Sequence, residues 1–379
     1  MISNNLIGLI ESSIRRDPKL FTSCGHIDWK SIFQLANQQG VTAIAWSAVC
    51  QLAASGALAP DQLPDRALKL QCALSVENIE RRYRKQAGLA QKLAEIYDKN
   101  GIKTIVLKGL AISGYYPVPE HRECGDLDCF LVKADTQRGD AIAINADGRP
   151  VSCYDEGNKV AKEAGAEVKV GFYKHSHINY KGLMVENHAF CTAIRGSRNR
   201  KALERHLQHL LATKPNTPIE GTHLLRPCAD FNALFLTAHS FGHFLTEGIK
   251  LRHILDWALL LRAEQDNIDW GSFYEWCDKM RYTKFVDAIT AIATEYLGLV
   301  VTNPQIRTHS NMRDKVLEDV LYGELSIHNT KASKFQKRLM IIKARMLGNW
   351  KYRELCNTSA FVDLLQTITA FFIERKPKI

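Results

Sequence analysis

The chain has 379 residues, 46% of them hydrophobic and 24% charged, with a net charge of +10. That length and apolar content support a sizeable buried core spread over two or three domains, and exclude a disordered or fibrous chain. The basic excess favours an anionic partner such as a nucleotide, a nucleic acid or an acidic membrane surface, without choosing among them.

The amino-terminal stretch MISNNLIGLIESSIRRDPKL meets Glu11 before any small-residue cleavage site and does not read as a secretory signal. The apolar runs 254–261 and 289–301 are too short or are broken by Asp256 and Glu295, so neither reads as a membrane span. A cytoplasmic location is the expectation. The ten cysteines form no CxxC pair, which argues against a structural zinc site or a redox dithiol and favours reduced thiols.

Residues 1–100 read as a helical region. Over 64–99, Leu89, Leu93 and Ile96 fall on one helical face, and Asn100-Gly101 supplies a stop. From 101 to 196 the pattern becomes α/β. Strands are predicted over 102–107, 127–132, 167–173, 176–180 and 183–188, with helical segments at 110–116 and 158–164. The segment GDAIAINADGRPVSC, with Asp147-Gly148 near its middle, reads as an inserted hairpin. From 197 to 379 helices return, with apolar periodicity over 201–212, 229–245, 253–261 and 273–297. The fold class is therefore α+β, a small mixed sheet flanked by a helical amino-terminal region and a helical carboxy-terminal domain.

The chemistry concentrates in LKGLAISGYYPVPEHRECGDLDCFLV, residues 107–132. On a strand, residues i and i+2 share a face, so Asp126 and Asp128 project side by side and repel unless a cation sits between them. Mg²⁺ suits such a pair, since it takes about six oxygen ligands at roughly 2.1 Å from one or two carboxylates, water and phosphates. Glu186 in LMVENHAF is the candidate third carboxylate, with His188 on the same strand face. An isolated D-x-D is more often a solvated turn. Here it follows Lys108-Gly109, which offers a cation and a close backbone approach, and Arg122, a bidentate phosphate ligand, and these surroundings favour a bound polyanion with metal.

Together Leu107-Lys108-Gly109, Tyr115 or Tyr116, Arg122, Asp126-Leu127-Asp128 and Glu186-Asn187-His188 resemble the uncharacterised nucleotidyltransferases of the polymerase-β-like superfamily. The resemblance extends over about residues 100–262, where His239, Arg252 and Asp256 echo a recurrent downstream pattern. It implies two Mg²⁺ ions, with Mn²⁺ as the alternative, held by the catalytic residues Asp126, Asp128 and Glu186. It also implies nucleotide contacts from Lys108, Gly109, Arg122, His188, Arg252 and Asp256, and transfer of a nucleoside monophosphate from an NTP such as ATP. The acceptor, whether RNA, protein or small molecule, is not inherited with a fold. Three departures stand out: Lys108-Gly109 replaces the Gly-Ser or Gly-Gly of the wider superfamily, the loop after Val132 carries the hairpin insertion, and the aromatic residue often found after the His is displaced to Phe190. A second reading is a non-catalytic nucleotide- or RNA-binding protein of the same fold, such as a component of a toxin–antitoxin or defence system.

The remaining features carry plainer expectations. His239 and His243, at i and i+4, lack a metalloprotease glutamate and read as core or surface histidines. Asp256 is expected to pair with a cation such as Arg252 or to cap a neighbouring segment. His175 and His177 read as an exposed strand face. Arg195, Arg198, Arg200 and Lys201 suit either a phosphate track or a solvated helix start. The basic run 331–353 carries Phe335, Leu339, Ile342 and Met346 as an apolar stripe, expected to pack in the core, with a basic face open to tRNA or lipid.

Overall fold

A computed structural model describes residues 2–23, 27–135, 137, 141–171, 173–323, 333–374 and 377–378. Three helices open the chain: α1 (Ile2–Arg15), α2 (Trp29–Gln39) and α3 (Thr42–Ser55). They bury Leu6, Ile10, Ile32, Ala36, Ile44 and Ala48 against one another. The long α4 (Arg66–Lys99) starts where the Asp65 carboxylate accepts the Leu68 N–H at 2.8 Å, and stops at Asn100 and Gly101 as the sequence predicts.

The sheet contains β1 (Ile102–Val106), β2 (Leu127–Asp135), β3 (Ala141–Ile142), β4 (Glu167–Val170), β5 (His175–Tyr180), β6 (Leu183–His188), β7 (Thr217–Pro218) and β8 (Leu224–Arg226). Between these strands lie the short α5 (Leu110–Ser113), α6 (Tyr154–Glu163) and α7 (Arg198–Thr213). The strand order is β4-β5-β6-β2-β1-β8-β7, with β3 attached to β2. Pairing is mixed: β2 runs antiparallel to β1 and parallel to β6. The fold is thus α+β. The expected inserted hairpin is a small β excursion, in which Asn145 and Arg149 exchange backbone and side-chain bonds around Gly148 at φ 71°.

Strand alternation divides the core. Leu127, Cys129 and Leu131 of β2 and Leu183 and Val185 of β6 pack with Ala90, Leu93 and Tyr97 of α4 and Val160 of α6. The opposite face of β2, carrying Phe130 and Val132, joins the larger core with the later helices. Asp128 lies on that second face, two residues before Phe130, and so do Glu186 and His188 on β6.

The later helices are α8 (Ala229–Thr246), α9 (Leu251–Glu264), α10 (Trp270–Met280), α11 (Thr283–Tyr296), α12 (Arg313–Tyr322), α13 (Lys334–Leu347), α14 (Asn349–Cys356) and α15 (Ala360–Ile373). Periodicity over 273–297 suggested one helix. The chain breaks there because Arg281 adopts a left-handed conformation at φ 62°, with no glycine or proline to signal the turn. The 331–353 stripe also departs from expectation: Leu339, Ile342 and Met346 are exposed rather than packed in the core. The side chain of Phe335 and residues 331–332 lie outside the described residues.

The nine described cysteines are free thiols, as the absence of CxxC pairs suggested. Among the described residues no single helix is long and apolar enough to cross a membrane, although α14 and α15 together meet that test as a pair bent by 90°.

Candidate active site

The central geometry is set by register. β2 and β6 are adjacent parallel strands with Asp128 directly opposite Glu186, and period-two alternation puts His188 on the same face. On the other side of β2, the Leu107 N–H donates to the Asp128 carbonyl at 2.9 Å, anchoring the chain as it leaves β1. Gly109 then turns it at φ 63°, where a Cβ would be strained and would lie 3.6 Å from the Asp126 carbonyl oxygen. This path delivers Lys108 to the acids: its Nζ is 2.7 Å from Asp128 Oδ2 and 3.4 Å from Asp126 Oδ1. The helix after Gly109 is one turn only, Leu110–Ser113, within the helical segment expected over 110–116.

Asp128 is 2% exposed, and its second oxygen, Oδ1, lies 3.1 Å from His188 Nε2. His188 Nε2 is also 3.5 Å from Glu186 Oε2. Burial alone would raise the Asp128 pKa, but the Lys108 charge and the His188 bond outweigh it and hold the carboxyl well below its ordinary range. Glu186 is likewise lowered, burial being overcome chiefly by the His188 bond. Burial would lower His188, yet its bonds to Asp128 and Glu186 raise it. Asp126 moves the other way, raised by burial and by the Asp128 charge beyond what Lys108 restores. At an effective dielectric of about 20, two like charges about 4 Å apart cost roughly 4 kcal/mol, so this group is stable only with cations among its members.

Two expected phosphate ligands are otherwise engaged. Arg122 is buried and bonds Asp256 in a fork, Nε to Oδ1 at 2.9 Å and Nη2 to Oδ2 at 2.7 Å. Its Nη1 lies 3.1 Å from Cys124 Sγ. Asp256 also accepts the Tyr116 hydroxyl at 2.6 Å. The partner of Asp256 is thus Arg122, 134 residues away, rather than Arg252 one helical turn before it. Arg252 donates to the Glu123 carbonyl. These contacts brace α9 against the segment that leads into β2.

His175 and His177 were expected on an exposed strand face; His177 is exposed, His175 is largely covered, and both lie beside Glu186. β5 pairs with β6 so that His177 lies opposite Glu186 and His175 opposite His188. Lys174 was not foreseen. Burial lowers its pKa against the pull of Asp128 and Glu186. It lines a cavity of about 640 Å³ between the sheet and the later helices, together with Arg200, His239, His243, Arg281 and Arg345. The strand spacing of H-S-H was the available signal for the histidines, whereas a lone lysine between two strands carries none. Of the basic cluster that starts α7, Arg200 reaches the cavity, Lys201 pairs with Glu374, and Arg195 lies 4.4 Å over the Tyr173 ring. His239 and His243 stack edge to face at 4.5 Å, and His243 pairs with Glu247.

The donor set is suited to a divalent cation. Asp126, Asp128 and Glu186 are hard oxygen donors, and the Lys108 ammonium already stands between two of them as a monovalent cation. Ligand atoms of Asp128, Glu186 and His188 lie within 4.8 Å of one another.

A family model described as an uncharacterised nucleotidyltransferase matches residues 25–298, which takes in α2 to α4, the whole sheet and the helices up to α11, with Asp256 on α9. No curated protein and no solved structure matches the chain. The match covers well over half of the sequence, and the chain belongs to this uncharacterised nucleotidyltransferase family.

Proposed function

We propose that the protein transfers a nucleoside monophosphate from an NTP to an acceptor, with Asp126, Asp128 and Glu186 holding divalent cations, Mg²⁺ or Mn²⁺. The observation that carries this reading is the alignment of Asp128 with Glu186 across adjacent strands, with Lys108 set between Asp128 and Asp126. Bound at these carboxylates, the cation would polarise the reacting phosphate and neutralise charge on the departing pyrophosphate.

The protein's own groups supply the rest. His188 orients Asp128 and Glu186 by bonding both. Glu186, partly open to solvent, is placed to take the proton of an acceptor hydroxyl. Lys108 carries the cation expected of a phosphate ligand, and Lys174, Arg200 and Arg281 line the neighbouring cavity, whose size suits a nucleotide or an acceptor group. Arg122 and Asp256 act as positioning residues: their mutual fork fixes the entry to β2, and with it the aspartates.

One observation favours a second reading, nucleotide binding without turnover: Lys108 already sits between the two aspartates, where a catalytic cation would be expected. Incubating the protein with α-labelled NTPs, Mg²⁺ and cellular RNA or protein separates the two. Transfer of label, lost in Asp128→Asn, is the expected result. Tight NTP binding with no transfer and no pyrophosphate release would establish the second reading instead.

A further inference from the structure

We propose that His175, His177 and Glu186 form a separate site for a borderline transition-metal dication of the Zn²⁺ class, distinct in donor chemistry from the all-oxygen aspartate site. The antiparallel pairing of β5 with β6 sets His177 opposite Glu186, and His175 lies two residues away on the same face. His175 Nδ1 is 3.6 Å from Glu186 Oε2, and His177 Nδ1 is 3.8 Å from Glu186 Oε1. The three ligand atoms all lie within 4.8 Å of one another.

Ligands about 2.0–2.1 Å from a tetrahedral Zn²⁺ are separated by roughly 3.4 Å, so the imidazole–carboxylate spacings need to close by only a few tenths of an ångström. The 3.8 Å spacing closes by rotation of His177, whose side chain is 47% exposed and meets the His175 ring edge to face at 4.8 Å. The same exposure leaves room for water, and two imidazoles, one carboxylate and water form a common open zinc coordination. Mg²⁺ does not compete well for such a set, because it prefers oxygen donors, whereas imidazole favours Zn²⁺ and its neighbours in the series. Glu186 belongs to both groups. One of its oxygens faces His177, and the other faces His175 and His188. The carboxylate can therefore bridge the two sites, and the ion held by the histidines would fix its orientation toward Asp128.

The inference does not require turnover, and its test reads binding directly. Full-length protein stripped with a chelator is titrated with Co²⁺ alone, following the visible d–d absorption, and Zn²⁺ affinity is obtained by competition. The expected result is one histidine-dependent Co²⁺ per chain, with bands typical of nitrogen and oxygen ligation, apart from any ion held by the aspartates. Mg²⁺ should not displace it. His175→Ala and His177→Ala should each weaken binding by about 100-fold or more, beyond the range seen when only a supporting residue is removed. Asp128→Asn should leave it unchanged. His177→Gln, which keeps the bulk of the side chain, gives the same answer should the alanine variant fold poorly. Absence of Co²⁺ binding by the wild type, or wild-type affinity in the histidine variants, would overturn the proposal. So would loss of binding in Asp128→Asn alone, since the ion would then belong to the aspartates. Failure of Mg²⁺-dependent label transfer, with the histidine-dependent Co²⁺ site intact, would count against the nucleotidyl-transfer reading and leave this one standing.

Discussion

Two buried charged groups lie on either side of the entry to β2, and they solve the same electrostatic problem in different ways. Around Asp256 the account closes: one guanidinium grips one carboxylate in a fork, and a tyrosine hydroxyl takes up remaining acceptor capacity. Around Asp128 it stays open: Lys108 and His188 each reach two of the three carboxylates, His175 and His177 lie beside Glu186, and two of the acids are partly exposed. A closed pair contributes shape. An open group of like charges, which costs several kcal/mol unless cations join it, is what a site for metal and phosphate requires.

The contrast makes opposite demands on substitution. Asp128→Asn should lower nucleotidyl transfer by at least about 10³-fold, comparable with the loss of a key electrostatic contact in a transition state, a loss beyond what its effect on the melting curve explains in a variant still folded at the assay temperature. Asp256→Ala should do the reverse at the level of stability: stranding the Arg122 guanidinium in the interior is expected to cost about 3–5 kcal/mol in urea denaturation, and replacing both partners by apolar residues should recover most of it. If Asp256→Ala left stability intact but abolished transfer, the two groups would not differ in the way described. Tyr116→Phe removes one hydrogen bond to a charged acceptor and should cost about 1.5–3 kcal/mol, less than breaking the fork.

A separate effect should appear with pH. Burial, with the neighbouring Arg252 charge, lowers the His253 pKa to about 3. Its Nδ1 accepts the Lys250 N–H at 3.1 Å at the start of α9. The unfolded imidazole, near 6.5, binds the proton first, so the stability tied to neutral His253 is complete above about pH 6.5 and is lost as pH falls toward 3. His253→Gln should flatten the stability profile across that window, as followed by urea midpoints at stepped pH.

Much of this arrangement was legible in the sequence because it depends on local period. Two-residue alternation in DLDCFLV and LMVENH puts Asp128 and Glu186 on one strand face each, and the stop at Asn100-Gly101 separates α4 from the sheet. The strand order that places those faces side by side is a tertiary fact. So is the Arg122–Asp256 fork, whose partners are 134 residues apart, and local spacing suggested Arg252 instead. The carboxylate beside His175 and His177 went unforeseen for a related reason: what an alternating strand face meets depends on the strand beside it. The exposed apolar stripe of α13 follows the same rule, since periodicity marks an apolar face but not what covers it. The break at Arg281 left no trace in composition, because a left-handed arginine looks like any helical one.

The most direct test of the open acidic group is a Mn²⁺ titration followed by electron paramagnetic resonance, with a non-hydrolysable NTP analogue present and the histidine pair removed by His175→Ala and His177→Ala. Bound Mn²⁺ that disappears when Asp128→Asn or Glu186→Gln is added is the predicted result. Equal Mn²⁺ binding with and without those carboxylates would contradict it.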